Sequence, residues 1–316
     1  MKCLVLGASG FIGSHLTYRL TSCGIEVITY GRKANISIAK LPLNNVRHIQ
    51  GDFATETEWE RILEDVDICF HLISTTVPKS SNDSPIWDVE SNVIGTLRLL
   101  EALKRSTSRL IFSSSGGTIY GAVGDKEISE QYPTNPLCSY GITKLTIEKY
   151  LSLYRELYGI DSVSLRIANP YGPGQRPNNL QGAVGVFIGR ILRGHTIDIW
   201  GDGSVVRDYI FIDDVVTALI AAANYHGRNN VFNIGSGTGV SLLQLIKAIE
   251  DVTNKTADII RHPSRGFDVQ RNVLDISLAE SELAWKPSIA LTVGLQETAK
   301  WMDQQLAQIA KISKKL

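Results

Sequence analysis

Seven residues near the start of the chain restrict its fold more than any other stretch. Lys2–Leu6 is a short apolar run, and Gly7-Ala8-Ser9-Gly10-Phe11-Ile12-Gly13 follows it directly. The run reads as a buried strand, and Phe11–Ser22 as the helix after it. Glycines in the turn allow positive φ and let the backbone come close to a bound group. The helix N-terminus then offers unpaired N–H groups and the positive end of its dipole, which together suit a pyrophosphate. A GxxGxxG spacing in this strand–turn–helix setting predicts a dinucleotide site, with Gly7, Gly10, Phe11, Ile12 and Gly13 at the phosphates.

The first half keeps that rhythm. Strands are expected at 26–30, 46–50, 67–72, 109–114 and 162–167, with helices at 56–64, 86–105 and 139–158. Nearly continuous apolar strands alternating with helices mean a parallel sheet covered on both faces, an α/β Rossmann-type doubly wound sheet. At residues 170–185 proline and glycine accumulate, which marks a boundary. Residues 1–169 are therefore expected to form the dinucleotide-binding domain, with segments near 205–235 returning to it. Residues 170–316 are expected to form most of a smaller α+β substrate-binding domain. Its helices are expected near 185–193, 214–224, 241–252 and 291–311, and its strands near 196–200, 231–234 and 257–261.

Composition removes several function classes. Lys+Arg and Asp+Glu are both 32, so the chain lacks the basic excess of a nucleic-acid binder, and no such partner is expected. Cys3, Cys23, Cys69 and Cys138 form no CxxC, and the histidines form no HxxH. Neither a disulfide framework nor a metal site is expected, and a reducing cytoplasm fits. No stretch of 18 apolar residues occurs, and the N-terminal run is too short for a secretory leader.

Two departures and one pair sharpen the chemistry. A dinucleotide site commonly ends its second strand on an acid that binds the adenosine ribose. Here that strand ends Tyr30-Gly31-Arg32-Lys33. Arg32 would attract a 2′-phosphate, so NADP stands beside NAD as a candidate cofactor. Further on, Tyr140-Gly141-Ile142-Thr143-Lys144 opens a helix, and the spacing of four puts phenol and ammonium on one face. An adjacent ammonium favours the phenolate, a base able to take a proton from a sugar hydroxyl.

With these features the chain resembles the extended short-chain dehydrogenase/reductase family, in particular its nucleotide-sugar epimerases and dehydratases. The resemblance runs through Gly51-Asp52, the 66–74 stretch VDICFHLIS, Asn92-Val93-Ile94-Gly95-Thr96 and the 113–121 stretch SSSGGTIYG. It continues through the 165–174 stretch LRIANPYGPG, Gly201-Asp202-Gly203-Ser204, Arg207-Asp208-Tyr209, Arg265-x-x-Asp268 and the 283–287 stretch LAWKP.

The resemblance implies cofactor contacts from Gly7, Gly10, Phe11, Ile12, Gly13, Gly31, Arg32, Asp52, Phe53, Leu72, Asn92, Tyr140 and Lys144, with NAD favoured. It implies Asn169, Arg207 and Arg265 as a clamp on a UDP-linked sugar. His71 is read as a structural, hydrogen-bonded residue, and Asn92 as helping to organise the active-site helix. The family's third catalytic group is a Ser or Thr four residues before the tyrosine that is Tyr120 here. That count lands on Gly116, leaving Ser115 and Thr118 as the candidate hydroxyls. Dehydratases carry an Asp-Glu pair where this chain has Gly117-Thr118, which disfavours water elimination.

A 4-epimerase passing through a 4-keto sugar is the leading expectation. An NADP-dependent keto-sugar reductase is the alternative. Asn272, four beyond Asp268, is expected to wall the pocket near the sugar's C2 substituent and to admit an N-acetyl group. The helices at 86–105 and 139–158, rich in Leu97, Leu100, Leu103, Leu145, Leu151 and Leu153, are expected to pair across a twofold axis into a homodimer.

Overall fold

The computed structural model describes residues 1–32, 45–175, 182–264 and 269–313. In chain order, β1 (Lys2–Leu6) leads through α1 (Phe11–Ser22) to β2 (Glu26–Gly31) and β3 (Val46–Gln50). Then come α2 (Trp59–Ile62), β4 (Ile68–His71), α3 (Pro78–Asp83) and α4 (Pro85–Asp88). A π-helical segment, Val89–Ile94, carries α4 into α5 (Gly95–Leu103). β5 (Arg109–Ser115), α6 (Ser139–Tyr158) and β6 (Ser162–Ile167) follow.

The second half runs β7 (Asn169–Tyr171), α7 (Ala183–Arg193), β8 (Ile197–Trp200), β9 (Val206–Phe211), α8 (Ile212–Ala223) and β10 (Val231–Ile234). It ends with β11 (Gly239–Ser241), α9 (Leu242–Thr253), β12 (Ile259–His262), β13 (Arg271–Asn272), α10 (Ser277–Glu282) and α11 (Leu291–Ser313).

Seven strands form one parallel sheet in the order β3-β2-β1-β4-β5-β6-β10. β4 and β6 are buried along their whole length, as a sheet covered on both faces requires. One face packs Leu16 and Leu20 of α1 together with Val215 and Leu219 of α8. The other packs Leu99, Leu100 and Leu103 of α5 with Ile147 and Leu151 of α6. The strand order reverses between β1 and β4, and that reversal opens a crevice at the C-terminal ends of the strands.

The remaining strands build the wall opposite. β9 is flanked by β11 and β13 along its first half and by β7 along its second. β8 and β12 make a separate parallel pair.

Several sequence expectations need adjustment. The helix expected over 56–64 is reduced to Trp59–Ile62, because Glu56 turns back to accept the Thr57 and Glu58 N–H groups. The helix expected over 86–105 is broken in its middle by the π-helical segment. β7, β9, β11 and β13 and the short helices α3 and α10 were not anticipated.

Candidate active site

The glycine loop closes the end of β1. Gly7 has φ +87° and donates its N–H to Tyr30 O at 3.1 Å. A Cβ on Gly13 would lie 2.2 Å from Gly7 O, so only glycine lets α1 sit this close to the turn. Gly10 caps α1 with no side-chain hydrogen bond, and the first turn holds no acidic residue. Ser9 and Gly10 are exposed, and Phe11 and Ile12 half-buried. An uncapped helix end behind a glycine turn is the arrangement that binds a pyrophosphate.

Around it, Asp52 is exposed and accepts the Ala54 N–H at 3.1 Å, and Leu72 is half-buried. Phe53 is core, with its ring 4.8 Å from that of His71 and 5.6 Å from that of Trp59. Arg32 is exposed just past β2, beside Gly31, whose missing Cβ would meet open space.

Asn92 sits inside the π-helical segment rather than at a surface. Its side chain accepts from Thr75 N at 3.0 Å and donates to Thr75 Oγ1 and Asp88 Oδ1, both at 2.9 Å. It thereby ties the helix to the loop after β4. His71 is buried at the end of β4, with Nε2 2.9 Å from Thr96 Oγ1. The Thr96 hydroxyl spends its proton on Asn92 O, so Nε2 is the donor and Nδ1 is a buried acceptor without a partner among the described residues. Burial, assisted by the nearby Lys144 charge, holds the His71 imidazole down at about 3.

Tyr140 and Lys144 share the first turns of α6. Lys144 is buried, donates to Ser113 O at 2.8 Å, and stands 4.7 Å from the Phe112 ring centre and 5.7 Å from the Tyr140 ring centre. Burial lowers its ammonium to about 8, against the opposing pull of the Asp88 and Glu148 carboxylates. Burial pushes the Tyr140 phenol up to about 12, helped by Cys138 and Asp88, while the nearby Ser115 hydroxyl acts in the opposite sense. The backbone N–H of Tyr140 is held by Ser81 Oγ at 3.0 Å.

The hydroxyl beside the phenol is thus Ser115, the last residue of β5. A Cβ on Gly116 would lie 2.5 Å from Leu274 Cδ1 and 2.9 Å from Arg166 O, so that position is closed to any side chain. Thr118 Oγ1 is buried without a partner among the described residues. Asn272 is buried and donates to Gly116 O at 3.1 Å, leaving its Oδ1 buried and unpartnered among the described residues. Gly117 lies between, with its Cβ position 3.9 Å from Asn169 Oδ1.

A cleft of about 300 Å³ continues from there, lined among others by Asn169, Gln175, Phe187, Trp200 and Arg207. Asn169 donates to Asp208 O at 2.8 Å, and Arg207 donates to Val206 O at 2.9 Å and Val269 O at 2.7 Å. Asp208 is buried and accepts from Ser236, Gly237 and Leu274. Arg265 and Asp268 lie outside the described residues.

The sequence reading passed over Asp88. It is fully buried and bonded to both Ser139, one residue before Tyr140, and Thr143, three residues after it. Its position four residues before Asn92, one helical turn away, was the available signal. Among the described residues no cluster of three His, Cys, Asp or Glu side chains could hold a metal, and no helix is long and apolar enough to cross a membrane.

Residues 3–235 match the NAD dependent epimerase/dehydratase family. The UDP-glucose 4-epimerase of Mycolicibacterium smegmatis is 36% identical over 309 residues, covering 95% of this chain and 98% of that protein. The crystal structure of the Thermotoga maritima UDP-glucose 4-epimerase with UDP-glucose superposes with a TM-score of 0.91 at 36% identity, covering 97% of this chain and 100% of that one. A UDP-N-acetylglucosamine 4-epimerase from Methanobrevibacter ruminantium, in complex with UDP-N-acetylmuramic acid, also gives 0.91, at 29% identity, with 96% and 98% covered.

Proposed function

The chain belongs to the NAD dependent epimerase/dehydratase family, and from that premise we propose that it interconverts UDP-hexoses at C4 through a 4-keto sugar. The observation that carries this reading is the Ser115–Tyr140–Lys144 group at the end of the parallel sheet, with no carboxylate at Gly117-Thr118. Epimerisation needs one proton-transferring group at one carbon. Elimination of water needs an acid and a base at the next, and the turn after β5 offers neither.

The residues present fit NAD. The uncapped start of α1 and the Gly7–Gly13 turn would hold the pyrophosphate, and Lys144, with Tyr140, would face the nicotinamide half. When bound, NAD supplies the hydride acceptor and a positive ring charge.

The chain's own residues do the rest. Tyr140, as the phenolate, takes the proton of the C4 hydroxyl, and the Ser115 hydroxyl steadies that phenolate before the transfer. Lys144, cationic while below about 8, favours that phenolate. The flat ketone must turn over before hydride returns to C4 and the proton to its oxygen. Binding energy placed on the nucleotide, along the cleft of Asn169, Trp200 and Arg207, lets the sugar rotate without escaping.

Asn272 supports acceptance of UDP-N-acetylglucosamine alongside UDP-glucose. Its fixed, unpartnered Oδ1 is an acceptor for an acetamido N–H. Asn272→Tyr would then suppress the N-acetylated sugar selectively, and equal loss on both sugars would return the preference to open.

The working form is a homodimer. Ile86, Trp87, Val89 and Ile94 on one helix and Ile142, Leu153 and Leu157 on α6 are exposed. Adjacent helices rich in exposed apolar side chains suit a shared bundle. Four free cysteines are consistent with a cytoplasmic protein.

The test is to incubate the purified protein with UDP-glucose, adding no cofactor, and follow the sugar by proton NMR. UDP-galactose should appear. No conversion of UDP-glucose, with stoichiometric NADPH consumption on a nucleotide 4-keto sugar, would instead support the keto-sugar reductase.

A further inference from the structure

Asp88 ends α4 where the helix widens into the π-helical segment. Its oxygens are occupied by neutral donors. Oδ1 accepts from the Thr76 hydroxyl and from Asn92 Nδ2 at 2.9 Å, and Oδ2 from Ser139 Oγ at 2.7 Å and Thr143 Oγ1 at 3.3 Å. Thr143 Oγ1 also lies 2.9 Å from Tyr140 O. The second buried carboxylate near the site, Glu148, is one turn beyond Lys144, but Arg166 pairs with it at 2.7 Å.

We infer that Asp88 is a positioning residue of the reaction: it pins the first turn of α6 through Ser139 and Thr143, and its charge, held by neutral donors, sets the field around the Tyr140–Lys144 pair. The inference rests on the proton-transfer role proposed above for that pair.

The direction of the field follows from the charges. Asp88 raises Lys144 against its burial, and raises Tyr140 along with burial and the Cys138 thiol. Glu148 acts on Lys144 in the same sense as Asp88 but shares its charge with Arg166. His71 on β4 is neutral near pH 7. Asp83 on α3 and Glu90 in the π-helical segment are exposed. Removing the Asp88 charge therefore moves both members of the pair to lower pH.

Asp88→Asn changes the charge and little else. The amide oxygen can accept from Thr76 and Asn92, and its NH₂ can donate to the hydroxyl oxygens of Ser139 and Thr143. The pH profile of kcat/KM on UDP-glucose should then shift as a whole, with both limbs lower by about one unit. Ser139→Ala keeps the charge and removes one tether, so it should lower kcat without moving either limb down. A uniform fall in Asp88→Asn with unmoved limbs would overturn the inference, as would the same downward shift in Ser139→Ala.

A measurement without turnover separates this from the functional reading. The Tyr140 ¹³Cζ resonance, assigned by its loss in Tyr140→Phe, should begin to titrate at lower pH in Asp88→Asn than in the parent chain. Equal titrations would overturn the inference. A parent chain that turns over no UDP-sugar counts against the proposed function, and the resonance comparison still decides Asp88. If Asp88→Asn does not fold, Asp88→Ser, also neutral, takes the same two arms.

Discussion

Ser115, the last residue of β5, stands beside Tyr140 in the first turn of α6 and acts on its phenol against the upward push of burial. It favours the charged form of the phenol, against burial, Cys138 and Asp88. Ser115→Ala should therefore lower kcat by about 10²-fold and move the limb governed by Tyr140 to higher pH. Moving the hydroxyl along the chain should not restore it. Gly116→Ser drives a Cβ into Leu274 and the Arg166 carbonyl, at a cost of about 1–3 kcal/mol in thermal or urea unfolding. A Ser115→Ala, Gly116→Ser double variant with parental activity would contradict both points.

Tyr140→Phe removes the proton-transferring oxygen and keeps the ring. Turnover should fall by about 10²–10⁴-fold. Cofactor content, measured after denaturation of the purified protein, should stay near that of the parent. Lys144→Ala should lose both activity and some cofactor, because its ammonium serves the site from a buried position. A Phe variant with near-normal turnover would remove Tyr140 from the mechanism.

His71 makes the fold sensitive to acid. Its imidazole titrates near 3 when folded, against the ordinary 6.5 of a solvated imidazole in the unfolded chain. Between those values the unfolded chain binds a proton that the folded chain refuses. This contribution is complete above about pH 6.5 and is lost as pH falls towards 3, by up to about 1.4 kcal/mol per unit. His71→Gln keeps an N–H for Thr96 but cannot titrate, so urea unfolding at pH 7 and pH 5 should show a shallower pH dependence. Identical slopes in the two proteins would assign the acid sensitivity elsewhere.

Arg32 separates the two nicotinamide cofactors. It is exposed just beyond β2, where a 2′-phosphate would meet it and a 2′-hydroxyl would not need it. Arg32→Ala should weaken NADP by roughly tenfold and leave NAD unchanged, as read by tryptophan fluorescence titration. Equal effects on both would make Arg32 an ordinary solvated cation.

Assembly is tested at the exposed stripe of α6. Ile142→Glu combined with Leu153→Glu should convert a dimer into a monomer in light scattering at micromolar concentration, with the circular dichroism unchanged. A parent chain that is already monomeric would refute the dimer. Of the leucines expected to serve pairing, Leu100, Leu103 and Leu151 are buried against the sheet, whereas Leu153 is exposed.

The parallel sheet was readable because its strands are short apolar runs bounded by glycine or charge, and each such run has one plausible state. α6 was readable to the residue for a local reason too: its C-terminus is stopped by Gly159 at φ +70°. β9 and β13 were not readable. Val206-Arg207-Asp208 and Arg271-Asn272 are polar, and they become strands only because partners more than sixty residues apart meet. The widened turn at Val89–Ile94 carries no proline, and its cause, the Asp88–Asn92–Thr75 contacts, is tertiary. The count from Tyr120 lands on Gly116, and the reason that position carries no side chain, the approach of Leu274 and the Arg166 carbonyl, is tertiary and not legible in the sequence.

β10 reaches the edge of the seven-stranded sheet only at Val231–Ile234, after the chain has left that sheet to lay down β7, β8 and β9. On the ribosome, β6 must therefore wait with an open edge while the opposite wall of the crevice is still being made. The strand that seals this edge also carries Asn233, whose amide fastens Ile128 and Asp275 from distant parts of the chain. Edge protection by β10 and completion of the wall by β11 and β13 both lie beyond residue 230, so a chain interrupted before residue 231 is left with an unsealed sheet and an incomplete pocket.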